Sequence, residues 1–82
     1  MPRLLPDIAY LPMNQDERNG VRAMAFATDE FEPYPAFVMA AFTLQSLIDR
    51  GLVERGPSNR PAVSDAGFRL TRSGMSELGR IW

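Results

Sequence analysis

Arginine and carboxylate supply the charged chemistry of this chain: nine Arg, no Lys, ten Asp or Glu, and neither His nor Cys in 82 residues. Without imidazole or thiol, the usual general base, thiolate nucleophile and transition-metal ligands are missing. Ser46, Ser58, Ser64, Ser73 and Ser76 have no base to activate them, and neither a phosphate-binding glycine loop nor a dinucleotide fingerprint occurs. A carboxylate pair could do acid-base work, but so small a domain leaves little room for a closed pocket. The residue types therefore point away from an enzyme, and no cofactor is expected. Asp29, Glu30 and Glu32 cluster as ligands of a hard cation can. No glycine-bearing coordination loop accompanies them, and the run reads as a solvated acidic loop with no metal site. What remains for the arginines is binding, either to phosphate or, as ordinary side chains, to water.

The net charge of −1 argues against a wholesale nucleic-acid binder, but its distribution is uneven. Up to Ala41 three Arg stand against six carboxylates. From Phe42 onward, Arg50, Arg55, Arg60, Arg69, Arg72 and Arg80 face Asp49, Glu54, Asp65 and Glu77, so the basic excess lies in the second half.

The elements that must position these groups follow from periodicity. Phe37, Ala40, Ala41, Leu44, Leu47 and Ile48 recur at i, i+3, i+4, which predicts a helix over Ala36 to Arg50 with that face inward. Gly51 supplies the left-handed C-terminal stop. Leu52 and Val53 begin a strand, Gly56 to Asp65 carries turn formers, and Phe68 and Leu70 alternate with polar neighbours as a returning strand. Thr71 stands where an N-cap belongs, with Met75, Leu78 and Trp82 as the buried stripe of a closing helix. Upstream, Asn14 and Glu17 form a capping-box pattern for a helix from about Gln15 to Ala27 that buries Val21, Met24, Ala25 and Phe26, with Gly20 inside it at a cost of about 1 kcal/mol. Pro2, Pro6 and Pro12 exclude a helix before Met13, so residues 1–13 read as an extended apolar arm. Ile8 and Tyr10 are candidates for a short strand against the hairpin or for packing on a partner. Asp7 and the prolines interrupt any secretion signal, and no run approaches the ~20 apolar residues of a membrane span. A cytoplasmic protein is expected, with one domain over residues 14–82.

The phrases LQSLIDRGLVERG and GFRLTRSGMSEL resemble the second half of a winged helix-turn-helix domain of the MarR and PadR kind. In such families a leucine-rich helix ending in RGLV precedes a two-stranded wing, and LT-x-x-G-x-x-x-L opens the next helix. The resemblance covers about half of the chain and implies an α+β fold: a small winged helix of about three helices, with a C-terminal-half hairpin wing and a closing helix. Between Ala27 and Ala36 there is room for one helical turn, with Pro33 and Pro35 holding Glu32 and Tyr34 extended. Either the second helix of the motif has shrunk to a loop, pinned by Phe31, Tyr34 and Phe37, or Ala36 to Arg50 supplies both helices with a junction near Ala40. The prolines favour the first.

The resemblance implies double-stranded DNA as partner, with the Ala36 to Arg50 helix in the major groove and Arg55, Arg60 and Arg69 on phosphates. At about 100 degrees per residue, the outer face of that helix carries Pro35, Met39, Phe42, Ser46, Asp49 and Arg50, flanked by Val38, Thr43 and Gln45. Candidate DNA contacts are thus Thr43, Gln45, Ser46, Arg50, Arg55, Arg60 and Arg69. Base readout calls for hydrogen-bonding side chains, and Met39 and Phe42 supply no donor. Two readings follow. The first is a small DNA-binding transcriptional regulator, as a dimer. The second is an interaction module, such as a small phage or mobile-element factor, that docks on a host protein or on a second copy through Met39 and Phe42. The basic second half favours the first.

Overall fold

The computed structural model describes residues 12–81, which form three α-helices and a three-stranded antiparallel sheet. The expected arm strand at Ile8 and Tyr10, and the expected burial of Trp82, lie outside the described residues.

Helix α1 (Gln15–Ala23) begins with the expected capping box: the Glu17 N–H donates to Asn14 Oδ1 at 2.8 Å and the Asn14 N–H donates to Glu17 Oε1 at 3.0 Å. It ends four residues earlier than the 3.6-residue pattern suggests, because the chain tightens into i→i−3 bonds (Ala25 N–H to Arg22 O, Ala27 N–H to Met24 O). That turn delivers the Ala27 carbonyl to the Leu70 N–H at 2.8 Å. It also turns Phe26 outward, 58% exposed and tilted against the Phe37 ring at 5.5 Å, and leaves Ala25 half-buried, where both were expected in the core.

Strand β1 (Glu32–Pro33) runs into one 3-10 turn, Tyr34–Ala36, which stands where the resemblance places a full helix. Helix α2 then covers Ala41–Asp49, not Ala36 to Arg50. Between the turn and α2 the backbone is extended at Phe37 (φ −110°, ψ 143°) and Ala40 (φ −71°, ψ 149°), and the Tyr34 hydroxyl donates to the Met39 carbonyl. Phe37 therefore reaches the core from extended chain, while Ala40 and Ala41, assigned to the inner face by periodicity, are exposed. Starting the helix at Ala41 rotates Thr43 inward, where it and Leu47 pack on Gly20 of α1; a Cβ there would lie 3.1 Å from Leu47 Cδ1 and 3.4 Å from Thr43 Cγ2. The glycine that costs helix propensity thus permits the crossing.

Gly51 ends α2 at φ +79°, with Leu52 N–H bonded to Leu47 O and Gly51 N–H to Ile48 O, a Schellman arrangement. Strands β2 (Val53–Pro57) and β3 (Ala66–Leu70) pair from Val53↔Leu70 to Pro57↔Ala66, and β1 joins the other side of β3 through Glu32↔Phe68 and Pro33↔Gly67, giving the order β1-β3-β2. Thr71 caps α3 (Arg72–Ile81): its Oγ1 accepts from the Gly74 N–H at 3.0 Å while its hydroxyl donates to Gly51 O at 2.7 Å, joining the start of α3 to the end of α2. Val21, Met24, Ala27, Phe37, Leu44, Leu47, Leu52, Val53 and Leu70 form the core, with Phe68, Leu78 and Ile81 packed at its edge. Met75, expected in the buried stripe of α3, is exposed. Among the described residues no helix is long and apolar enough to cross a membrane.

Candidate interaction surface

Two of the four arginines expected at a ligand, Arg50 and Arg69, are engaged within the fold. Arg50, at the end of α2, closes on Glu17 of α1, with Nε donating to Oε2 at 2.8 Å and Nη2 to Oε1 at 3.0 Å. The two side chains are 7% and 5% exposed. Ser46 donates its hydroxyl to the same Oε2, and Arg50 Nη2 also reaches the Pro12 carbonyl at 3.3 Å. Burial by itself would raise the Glu17 pKa, but hydrogen bonds from Arg50, Ser46 and the Asn14 N–H, with the Arg50 charge, outweigh it and hold the carboxyl below its usual range. Arg50 and Ser46 thus staple α1 to α2 instead of facing a groove. The charge pattern hid this, because the partners are 33 and 29 residues apart in sequence.

Arg69 is also held. Its cross-strand neighbour Glu54 accepts from Nε at 2.8 Å, the Asp29 carbonyl accepts from Nη1 at 2.8 Å, and the guanidinium lies 4.2 Å from the centroid of the Phe31 ring. The acidic segment is bound to the hairpin tip by Asn59, whose Nδ2 donates to Glu30 Oε1 at 2.7 Å and Glu32 Oε2 at 2.9 Å, while its N–H donates to the Phe31 carbonyl. Phe37 enters the core and Tyr34 packs against it, as expected, whereas the Phe31 ring lies against the hairpin at Gly56 and Arg69 instead of the core. Among the described residues there is no group of three His, Cys, Asp or Glu that could hold a metal ion. The tip itself is tied by Ser58 N–H to Asp65 O, Arg60 N–H to Ser58 Oγ and Val63 N–H to Arg60 O.

Of the expected DNA contacts, Thr43 is 4% exposed and joins the α1–α2 packing, a correction that follows from the later start of α2. Gln45 is exposed and donates to Asp49 Oδ1 at 3.0 Å. Arg55 and Arg60 are exposed, with no side-chain hydrogen bond or ion pair to a described residue. Met39, expected on the outer face, is half-buried against the core, its methyl group directed at Gly20.

Between these groups lies a segment without charge, bordered by Asp16 of α1. No Asp, Glu or Arg occurs from Pro33 to Ile48, and the structure gathers Val38 (93% exposed), Ala40, Ala41 and Phe42 (72% exposed) around the start of α2. A cleft of about 220 Å³ opens beside them, lined by Asp16, Asn19, Gly20, Val38, Met39, Ala40 and Thr43. Sequence periodicity placed Ala40 and Ala41 in the core and left Val38 a flanking residue; the signal available for this surface was the uncharged run itself. The start of α2 is also uncapped by any side chain. Ala40 caps it without a side-chain bond, the first turn has no acidic residue, and the N–H groups of Ala41 and Phe42 bond to no described residue.

Comparison of the chain with protein-family models, with curated proteins and with solved structures finds no match.

Proposed function

We propose that this chain is a winged-helix scaffold that serves as a protein-interaction module, docking through the start of α2 and the segment leading into it. The order of elements supports the scaffold: a helix, a short strand, one 3-10 turn in place of the motif's second helix, a helix, a hairpin and a closing helix, with β3 between β1 and β2. The docking face rests on one observation, the exposure of Val38 and Phe42 on a surface with no charged residue from Pro33 to Ile48. Contacts of this kind are dominated by a few buried apolar or aromatic side chains, each worth on the order of 1 to 3 kcal/mol on truncation. The double change Val38→Ser with Phe42→Ser removes those anchors from exposed positions, so circular dichroism and melting should match wild type while association is lost. Unchanged association would refute the docking face.

A second reading, duplex DNA binding in a regulator, is favoured by the free Arg55 and Arg60 with the exposed Gln45. About two neutralised phosphates give a slope near −2 in log K against log salt, and Arg55→Glu with Arg60→Glu abolishes binding in that case alone. The engagement of Arg50, Ser46 and Arg69 and the burial of Thr43 leave this reading fewer groups than the sequence promised.

A further inference from the structure

We infer that the occupant of the α2 face is a second copy of this chain, with the two α2 helices packed antiparallel across a two-fold axis beside Gln45, which rests on the reading of that face as a docking surface. The exposed stripe of α2 is Phe42, Gln45 and Asp49, spaced i, i+3, i+7, with Ala41 beside it. Its electrostatics are reversed for an isolated helix. Asp49 stands in the last turn, where a carboxylate opposes the helix dipole, and the first turn has neither an acidic residue nor a side-chain cap. The free N–H groups of Ala41 and Phe42 lie two turns, about 10 Å, from Asp49. Antiparallel pairing centred beside Gln45 sets position 42 of each copy level with position 49 of the other. Asp49 of each copy, whose Oδ1 already accepts from Gln45, then brings its carboxylate to the open N-terminus of the other helix and supplies the partner that the free N–H groups lack.

The apolar part of the surface fits the same arrangement. Phe42 of each copy covers the aliphatic portions of Gln45 and Ile48 of the other, and Ala41 adds no bulk to hold the axes beyond the usual 8–10 Å. A two-fold contact opposes each residue to its own surroundings, which penalises like charges. The absence of charge from Pro33 to Ile48 avoids that at the centre. A contact two turns long is at the small end of specific interfaces, so association in the micromolar range is expected.

Sedimentation of the full chain from about 10 μM to about 1 mM reads this directly. Wild type should shift from monomer to dimer, and Phe42→Ser should weaken the dimer by roughly tenfold or more. Asp49→Lys places a cation at the end of α2, which favours the monomer fold, so its loss of dimer is not a folding effect. Adding Ala41→Glu to Asp49→Lys puts a carboxylate within one residue of the level of the new lysine of the other copy and should restore association. As the chain has no Cys, Gln45→Cys should join two copies through a short bis-maleimide, whereas Ser73→Cys on α3 should not. A monomeric wild type at the highest concentration overturns this inference alone, and the docking face is then judged on other proteins. A dimer indifferent to both Phe42→Ser and Asp49→Lys is held by another surface and likewise overturns this inference alone. Loss in Asp49→Lys without rescue by Ala41→Glu overturns the antiparallel register.

Discussion

Arg50→Ala should destabilise this domain severely, and the size of the effect follows from where Arg50 sits. The substitution leaves Glu17 buried with only the Ser46 hydroxyl and the Asn14 N–H to satisfy it. Removing one partner of a buried pair costs about 3–5 kcal/mol, since the remaining charge stays desolvated. Small domains are stable by roughly 5–15 kcal/mol in all. At about 4–8 °C per kcal/mol for a chain of this length, the melting temperature should fall by at least about 12 °C, or folding should fail. The pair also sets a pH dependence. Because the folded state holds Glu17 below its usual value of 4.5, the unfolded chain takes up the proton more readily. The stabilisation is full above that value and is lost as pH falls through the lower folded value. Thermal melts from neutral to acidic pH should show this loss in wild type and a flatter profile in Glu17→Gln. An Arg50→Ala variant that melts within a degree or two of wild type would refute the staple.

Leu47→Ala should cost about 2–5 kcal/mol in denaturant titration, because Leu47 is fully buried on the Gly20 face of α1; a wild-type midpoint would show that the α1–α2 crossing is misplaced. Thr71→Ala removes both the cap of α3 and the bond to the Gly51 carbonyl, for an expected loss of about 1–2 kcal/mol by the same titration.

The signals that were legible in the sequence are local ones. Asn14 with Glu17, Gly51 and Thr71 each satisfy backbone groups within a few residues, so their types and spacing mark the ends of α1, α2 and α3 without knowledge of the rest. The hairpin strands were legible for a similar reason, with turn formers between Val53 and Phe68. What escaped depends on partners distant in sequence. The start of α2 is set by the Tyr34 hydroxyl on the Met39 carbonyl and by Phe37 entering the core from extended chain, and helical periodicity reads neither. Thr43 has a polar and an apolar end, and only the close approach at Gly20 decides which way it turns. Arg50 and Arg69 looked free because Glu17, Phe31 and the Asp29 carbonyl come to them through the fold. Phe26 and Met75 were assigned inward by helical spacing, which an early helix end and the outer side of α3 override. The α2 surface is therefore what remains once these internal contacts are made: exposed Val38 and Phe42, an uncapped helix start and an acidic residue in the last turn.

That surface is tested most directly by backbone amide NMR of the wild-type chain, recorded as its own concentration is raised and then on addition of duplex DNA. Concentration-dependent shifts are expected at Val38, Ala41, Phe42, Gln45 and Asp49, with DNA moving at most Arg55 and Arg60 and that effect disappearing at moderate salt. Amides of α2 that ignore protein concentration but move with DNA at moderate salt would contradict it.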